Sequence, residues 1–329
     1  MKTDMQNGTI LRITCPGAGF PKEDRIRGLL ESCFDWAYSE PMRRLVGSFG
    51  ASIGSCRGKS GRADYIRELH DFASRWDYRN GRERWAVEDD GIVTDDPGFV
   101  MEQVKLLGLV DAVPPKGDID HIIPLGGARS SNHIRCLMAK KAIDEYGCMP
   151  KTLVALSGTR PINEIERPYI DEYAKGAQTE YEAICAALEK VFGLDTYTEK
   201  TDINENINLC SAVRKYDGKY GGSEIFSLAA PSSDPGRRAD SYDTFEYMLK
   251  HFKIGAGSRL LLVTSTIYVP FQYLKFMKMA IAGGFEVDCI GTDISGAAPP
   301  VGPASYLQEV KAAVDAIFEL YRYYQTDIM

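Results

Sequence analysis

No CxxC pair occurs in the chain, although it carries eight cysteines, at 15, 33, 56, 136, 148, 185, 210 and 289. Thiols scattered without short spacings exclude a zinc ribbon or a compact disulfide framework; in a reducing compartment they read as small buried hydrophobes. Histidine is scarce, with residues 70, 121, 133 and 251 only, which excludes a His-rich metal centre. Apolar runs of the ~20 residues that cross a bilayer are missing. Met1–Ile10 is also too polar for the apolar centre of a signal peptide. A soluble, cytoplasmic protein with no membrane partner and no structural metal is expected. Positive charge is not in excess either: 39 Lys and Arg against 46 Asp and Glu leave a net charge of −7. That balance argues against a surface that coats nucleic acid, which needs cations to displace counterions.

What is present is ordinary globular material. At 44 % hydrophobic and 26 % charged residues, the 329-residue chain can bury a core, and its length suits about two domains. The clearest punctuation is Val113-Pro114-Pro115-Lys116-Gly117-Asp118, where paired prolines and a glycine cannot continue a helix. It separates residues 1–115 from 116–329.

Before the break, helical spacing dominates: Ile66, Leu69, Phe72, Ala73 and Trp76 share one face, and similar periods run through Ile26–Ala37 and Phe99–Leu109. After it, apolar runs without in-and-out alternation (Ile119–Leu125, Thr152–Leu156, Glu224–Ala229, Arg259–Thr264, Phe285–Ile290) alternate with helical stretches. Those stretches cover roughly 130–146, 177–192, 242–252, 270–282 and 303–324. Strands apolar on both faces, joined by crossover helices, make a doubly wound parallel sheet. The fold class is therefore α/β with an N-terminal, mainly helical region.

Parallel sheets bind ligands where strands end at their carboxyl edge, because loops converge there and helix N-termini offer N–H groups to anions. Four loops fall at that edge: Leu125-Gly126-Gly127-Ala128-Arg129, Leu156-Ser157-Gly158-Thr159-Arg160, Ser232 running on to Asp243-Thr244, and Thr264-Ser265 running on to Tyr268. Glycines, hydroxyls and arginines repeated at successive strand ends suit a phosphate- or carboxylate-bearing ligand, although βα loops also use Gly, Ser and Thr simply to turn and cap.

The order of these elements resembles the family known as domain of unknown function 218, the YdcF/SanA/ElyC-like proteins. The matching pieces are Leu125-Gly126-Gly127 with Arg135 and Ala139, Ser157-Gly158 with Glu180, Thr244 with Glu246, Leu262-Val263-Thr264-Ser265, and Tyr306-Leu307-Gln308-Glu309. They span about 118 to 325. The resemblance implies a Rossmann-like sheet with its ligand at the strand ends, and an S-adenosylmethionine-like ligand for members without a membrane anchor. Tyr268 and Phe271 stand where similar proteins carry His and Arg, and Tyr247 stands where they carry Asn.

Three sharper motifs are set aside. Gly50-Ala51-Ser52-Ile53-Gly54 fits a nucleophile elbow but follows no strand. Gly54-Ser55-Cys56-Arg57-Gly58-Lys59-Ser60 is one residue short of a P-loop. Arg75, Arg79, Arg82 and Arg84 interleave with Trp76, Tyr78 and Trp85. Residues 43–84 hold ten Lys or Arg against five acids, but 88–111 then holds seven acids and one lysine, so mutual neutralisation outweighs nucleic-acid binding. His133, early in its helix, reads as a capping or surface residue, the alternative being a histidine that faces the ligand from the first turn.

The sequence thus points to a protein that binds a small anionic metabolite, nucleotide- or S-adenosylmethionine-like, at the carboxyl edge. Gly126, Gly127, Ser157 and Gly158 supply close approach, Arg129, Arg135 and Arg160 charge, and Thr159, Ser232, Asp243, Thr244, Thr264, Ser265 and Tyr268 polar contacts. If it is a transferase or hydrolase, Glu246 or Glu180 is the acid–base group. A non-catalytic metabolite sensor or interaction module is the alternative. The oligomeric state is not legible.

Overall fold

A computed structural model describes residues 9–54, 58–79, 96–115, 117–294 and 301–324. In chain order its regular elements are α1 (Lys22–Ala37), α2 (Glu40–Ser48), α3 (Gly58–Ala73), α4 (Pro97–Leu106), β1 (His121–Pro124), α5 (Ser131–Asp144), β2 (Thr152–Ser157), α6 (Arg167–Ile170), α7 (Glu180–Phe192), β3 (Tyr197–Asp202), β4 (Ser211–Tyr220), β5 (Ser223–Ala229), α8 (Ser241–Phe252), β6 (Arg259–Ser265), α9 (Val269–Gly283), β7 (Glu286–Thr292) and α10 (Pro303–Tyr323). They divide into two compact units, one of residues 1–112, 266–281 and 293–329, the other of 113–265 and 282–292.

The second unit is built on a seven-stranded sheet in the order β3-β4-β5-β2-β1-β6-β7. β5, β2, β1, β6 and β7 are mutually parallel, while β4 runs antiparallel to β5 and β3 antiparallel to β4. β1, β2 and β6 are buried along nearly their whole length, which is why they read as continuous apolar runs. Ile122, Leu153, Ala155, Ile225, Leu261, Val263 and Ile290 form one core with Cys136, Ala139, Ile184 and Leu188, so α5 and α7 cover that face. The chain builds β1, β2 and β5 outward on one side, then returns to place β6 on the other side of β1. The order therefore reverses between β1 and β6, and the crevice outside their carboxyl ends is where open α/β sheets hold ligands.

The first unit is helical. Leu29, Trp36, Ile66, Leu69, Trp76, Leu107, Val310, Val314 and Ile317 lie within its core. Trp36 Nε1 donates to Leu107 O at 3.0 Å, Tyr65 OH to Ala37 O at 3.2 Å and Tyr321 OH to Leu30 O at 2.9 Å, tying helices together where indole and phenol groups would otherwise lose their water partners. Arg25 is 3 % exposed and reaches the Ala280 carbonyl at 3.2 Å.

The fold differs from the sequence expectation in two respects. Expected as one domain, residues 116–329 are shared between the units: α9 up to Ile281 and all of α10 group with the N-terminal helices. The apolar stripe of α10 (Leu307, Val310, Val314, Ile317, Leu320) packs on α1, α3 and α4, and periodicity marks such a stripe without naming what covers it. The β3–β4 hairpin was not anticipated. Every residue of β3, Tyr-Thr-Glu-Lys-Thr-Asp, is exposed, so no alternation of apolar and polar residues announces it. No described helix is long and apolar enough to cross a membrane.

Several sequence features receive a plain structural placement. Gly50–Gly54 continues from α2, so no strand precedes its serine. Cys56 of the P-loop-like stretch, and Arg82, Arg84 and Trp85, lie outside the described residues. Trp76 is fully buried. Of the cysteines, 33, 136, 148, 185 and 289 are buried, and 15 and 210 are half-buried.

Candidate functional site

The β1 loop is the tightest piece of the carboxyl edge. A methyl group on Gly126 would sit 2.7 Å from Leu156 O and 3.2 Å from Ser157 Cα; one on Gly127 would meet Arg135 Nη1 and Ser131 Cβ, both at 2.8 Å. Both glycines are therefore required by the protein's own packing. Gly127 N–H donates to Asn132 Oδ1 at 2.9 Å. Arg135, 4 % exposed, donates to Leu125 O at 2.8 Å, Gly126 O at 2.7 Å and Ser265 Oγ at 3.2 Å, pinning this loop to the end of β6. It is a fastener for the loop.

The β2 and β5 loops are likewise held from within. Arg160 forms a two-point pair with Glu166, and its Nη2 also lies 3.2 Å from Glu180 Oε1. Burial disfavours the guanidinium's charge, but the two carboxylates more than restore it and raise its pKa. Neither Arg160 nor Glu180 thus keeps the open role the sequence assigned. Thr159 Oγ1 donates to Ile207 O at 2.7 Å, and Ser232 Oγ accepts from Asp234 N at 3.2 Å. Ser157 Oγ turns back to Gly158 O at 3.2 Å, while Gly158 has space, its nearest neighbour to a Cβ being Ala239 at 4.0 Å.

Asp243 organises the β5–α8 connection. Its carboxylate accepts from Arg237, Ser233 N at 3.2 Å and Asp240 N at 2.9 Å, completing a capping box at the start of α8. Burial pushes the carboxyl up, but the hydrogen bonds, led by those from Arg237, outweigh it and hold the pKa at about 2. Thr244 Oγ1 donates to Ser241 O within its helix. Glu246, 44 % exposed at its side chain, pairs with Lys250 at 3.1 Å. Neither proposed acid–base carboxylate faces inward unpaired. Tyr268 falls in the helical unit.

What remains is the side of the edge formed by β1, β6 and β7. Arg129 adopts φ +54, a left-handed conformation that suits glycine, and Tyr173 OH steadies it by donating to Arg129 O at 2.9 Å. Its guanidinium lies 5.1 Å from the centre of the Tyr169 ring. α5 follows at once, and its N-cap Ser130 makes no side-chain capping bond, whereas Thr179 caps α7 and Asp240 caps α8. His133, in the first turn, stacks on Tyr173 with centroids 5.3 Å apart. Burial, aided by the charge of Lys190, lowers its pKa, so the ring is neutral near pH 7. Thr264 is fully buried and its hydroxyl has no partner; it points to the face opposite Ser265. Thr292, which ends β7, was missed: it is 5 % exposed and its hydroxyl is also unpartnered. A strand ending in Thr next to one ending in Ser was the available signal. Among the described residues no cluster of His, Cys, Asp and Glu has the arrangement of a metal site.

Comparisons with known proteins bear on the family. No solved structure matches the chain. It is 26 % identical over 339 aligned positions to the uncharacterized protein Rv3785 of Mycobacterium tuberculosis (strain ATCC 25618 / H37Rv), covering 93 % of each chain. The same figures hold for the uncharacterized protein Mb3814 of Mycobacterium bovis (strain ATCC BAA-935 / AF2122/97). These matches correct the resemblance to the domain of unknown function 218 family. They run over most of both chains, not over 118 to 325 alone, and the motifs that suggested that family are short, several of them built on the Gly, Ser and Thr that turns and caps select in any parallel sheet. The family model that does match, over residues 21–108, is the one described as the Rv3785 N-terminal domain, and α1 to α4 fall within that stretch.

Proposed function

We propose that the sheet unit binds a small anionic, nucleotide-like metabolite at the carboxyl ends of β1 and β6. The observation that carries this is Arg129: at the point where strand order reverses, the loop spends a left-handed backbone position on arginine, where glycine costs least, and sets that cation immediately before an uncapped helix N-terminus. S-adenosylmethionine serves as a contrasting probe. A thermal-shift screen of nucleotides, sugar phosphates and S-adenosylmethionine tests the proposal, since a ligand selective for the native state raises the melting point by mass action. At least one anionic ligand is expected to stabilise the protein, with the shift lost in Arg129→Ala; a shift unchanged by that substitution overturns the placement.

Binding without turnover is favoured over catalysis by the pairing of both carboxylates, Glu180 with Arg160 and Glu246 with Lys250. Incubation with the best ligand and mass-spectrometric detection of products decides: turnover removes the sensor.

A further inference from the structure

Resting on the proposal that this edge holds an anionic metabolite, we infer that the anionic group is a phosphoryl group, and that Ser265 and Thr292 give it two hydroxyl hydrogen bonds beside the first turn of α5. In the β6–β7 ladder Ser265 stands directly opposite Thr292. Paired residues of a parallel ladder face the same side, with strands ~4.8 Å apart, so one tetrahedral oxyanion can bridge the two hydroxyls. That side is the one covered by α5, because Arg135 of α5 reaches Ser265 Oγ at 3.2 Å.

The two hydroxyls differ in a way that fits donation to an anion. Ser265 Oγ accepts from a guanidinium, which leaves its own proton to be donated elsewhere. Thr292 is more than nine-tenths buried, and its hydroxyl has no partner. Buried hydroxyls are ordinarily satisfied, and a native exception calls for an explanation; a ligand oxygen supplies one. At the β2 and β5 loops the carboxylates are turned to cations, Glu180 and Glu166 to Arg160 and Asp243 to Arg237, while Asp293, which follows Thr292, is exposed.

The directions of the donors select the group. A carboxylate accepts its hydrogen bonds close to one plane, whereas the three non-bridging oxygens of a phosphate monoester point in three directions, which suits two hydroxyls on the sheet together with N–H groups at the start of a 14-residue helix that covers it.

The test uses the full chain, with adenosine monophosphate and inorganic phosphate as probes and calorimetry as the readout. Adenosine monophosphate is expected to bind, inorganic phosphate to compete with it, and Thr292→Val, which keeps the side chain's shape and removes the O–H, to weaken binding by about tenfold or more. The unliganded melting point of Thr292→Val should equal or exceed that of the parent, which separates loss of a contact from loss of fold. If S-adenosylmethionine binds in an Arg129-dependent way while neither phosphate probe binds, the phosphoryl assignment fails and the anion site stands. If adenosine monophosphate binds equally well to Thr292→Val and to Ser265→Ala, the hydroxyl pair is overturned. If no anionic ligand of any kind binds, the underlying proposal falls with it.

Discussion

Arg160 sets its two terminal nitrogens 2.8 Å from the two oxygens of Glu166, a carboxylate with no exposed surface. Removing the cation from so buried a pair strands the negative charge, which typically costs about 3–5 kcal/mol. Arg160→Met is therefore expected to lower the urea midpoint of the protein substantially, while Glu166→Gln, which leaves Arg160 paired with Glu180, costs less. A midpoint unchanged by Arg160→Met contradicts the fastening role and returns Arg160 to the list of ligand contacts.

Two glycines of neighbouring loops should respond oppositely to a methyl group. Gly126→Ala drives a Cβ to within 2.7 Å of a backbone oxygen, an overpacking that costs about 2 kcal/mol. Gly158→Ala meets nothing closer than 4.0 Å and is expected to be tolerated. Equilibrium denaturation of the two variants side by side measures the difference.

Acid should loosen the β5–α8 connection. The folded Asp243 pKa of about 2 lies below the ordinary carboxylate value of 3.8. Its stabilising effect is thus fully present above pH 4 and is lost as pH falls toward 2. The span corresponds to about 2 kcal/mol. Asp243→Asn should flatten the decline of the urea midpoint between pH 4 and 2; a decline as steep as the parent's counts against the low pKa.

At Arg129 backbone and side chain can be separated. Both Arg129→Gly and Arg129→Ala remove the guanidinium and should abolish the anion-dependent rise in melting point. Alanine keeps the left-handed strain that glycine relieves, so the glycine variant should be the more stable of the two by about 1 kcal/mol. Alanine proving as stable as glycine shows that the φ of +54 is not maintained.

Legibility of the fold followed burial. β2 and β6, buried along nearly their whole length around an apolar centre, were located to within a residue of their observed ends, and α8, α9 and α10 nearly so. β3 escaped because a strand exposed on all its residues leaves no apolar trace, and the grouping of α10 with the N-terminal helices escaped because a stripe does not name its partner. At the edge, the four loops were identified from residue types, yet composition could not separate residues that face a ligand from those that hold a loop. Arg135, Arg160, Thr159 and Asp243 hold loops. Thr292 follows Gly291 at the end of β7, outside the four loops that residue types singled out.

The placement of α10 sets an order of events during synthesis. Residues 21–108 leave the ribosome long before 303–323, so the apolar faces of α1, α3 and α4 wait, uncovered by α10, while the whole sheet is being translated. Such delayed closure leaves sticky surface available to chaperones and to neighbouring nascent chains. A stop codon placed just before Pro303 should accordingly be far more damaging to solubility than its distance from the candidate site suggests.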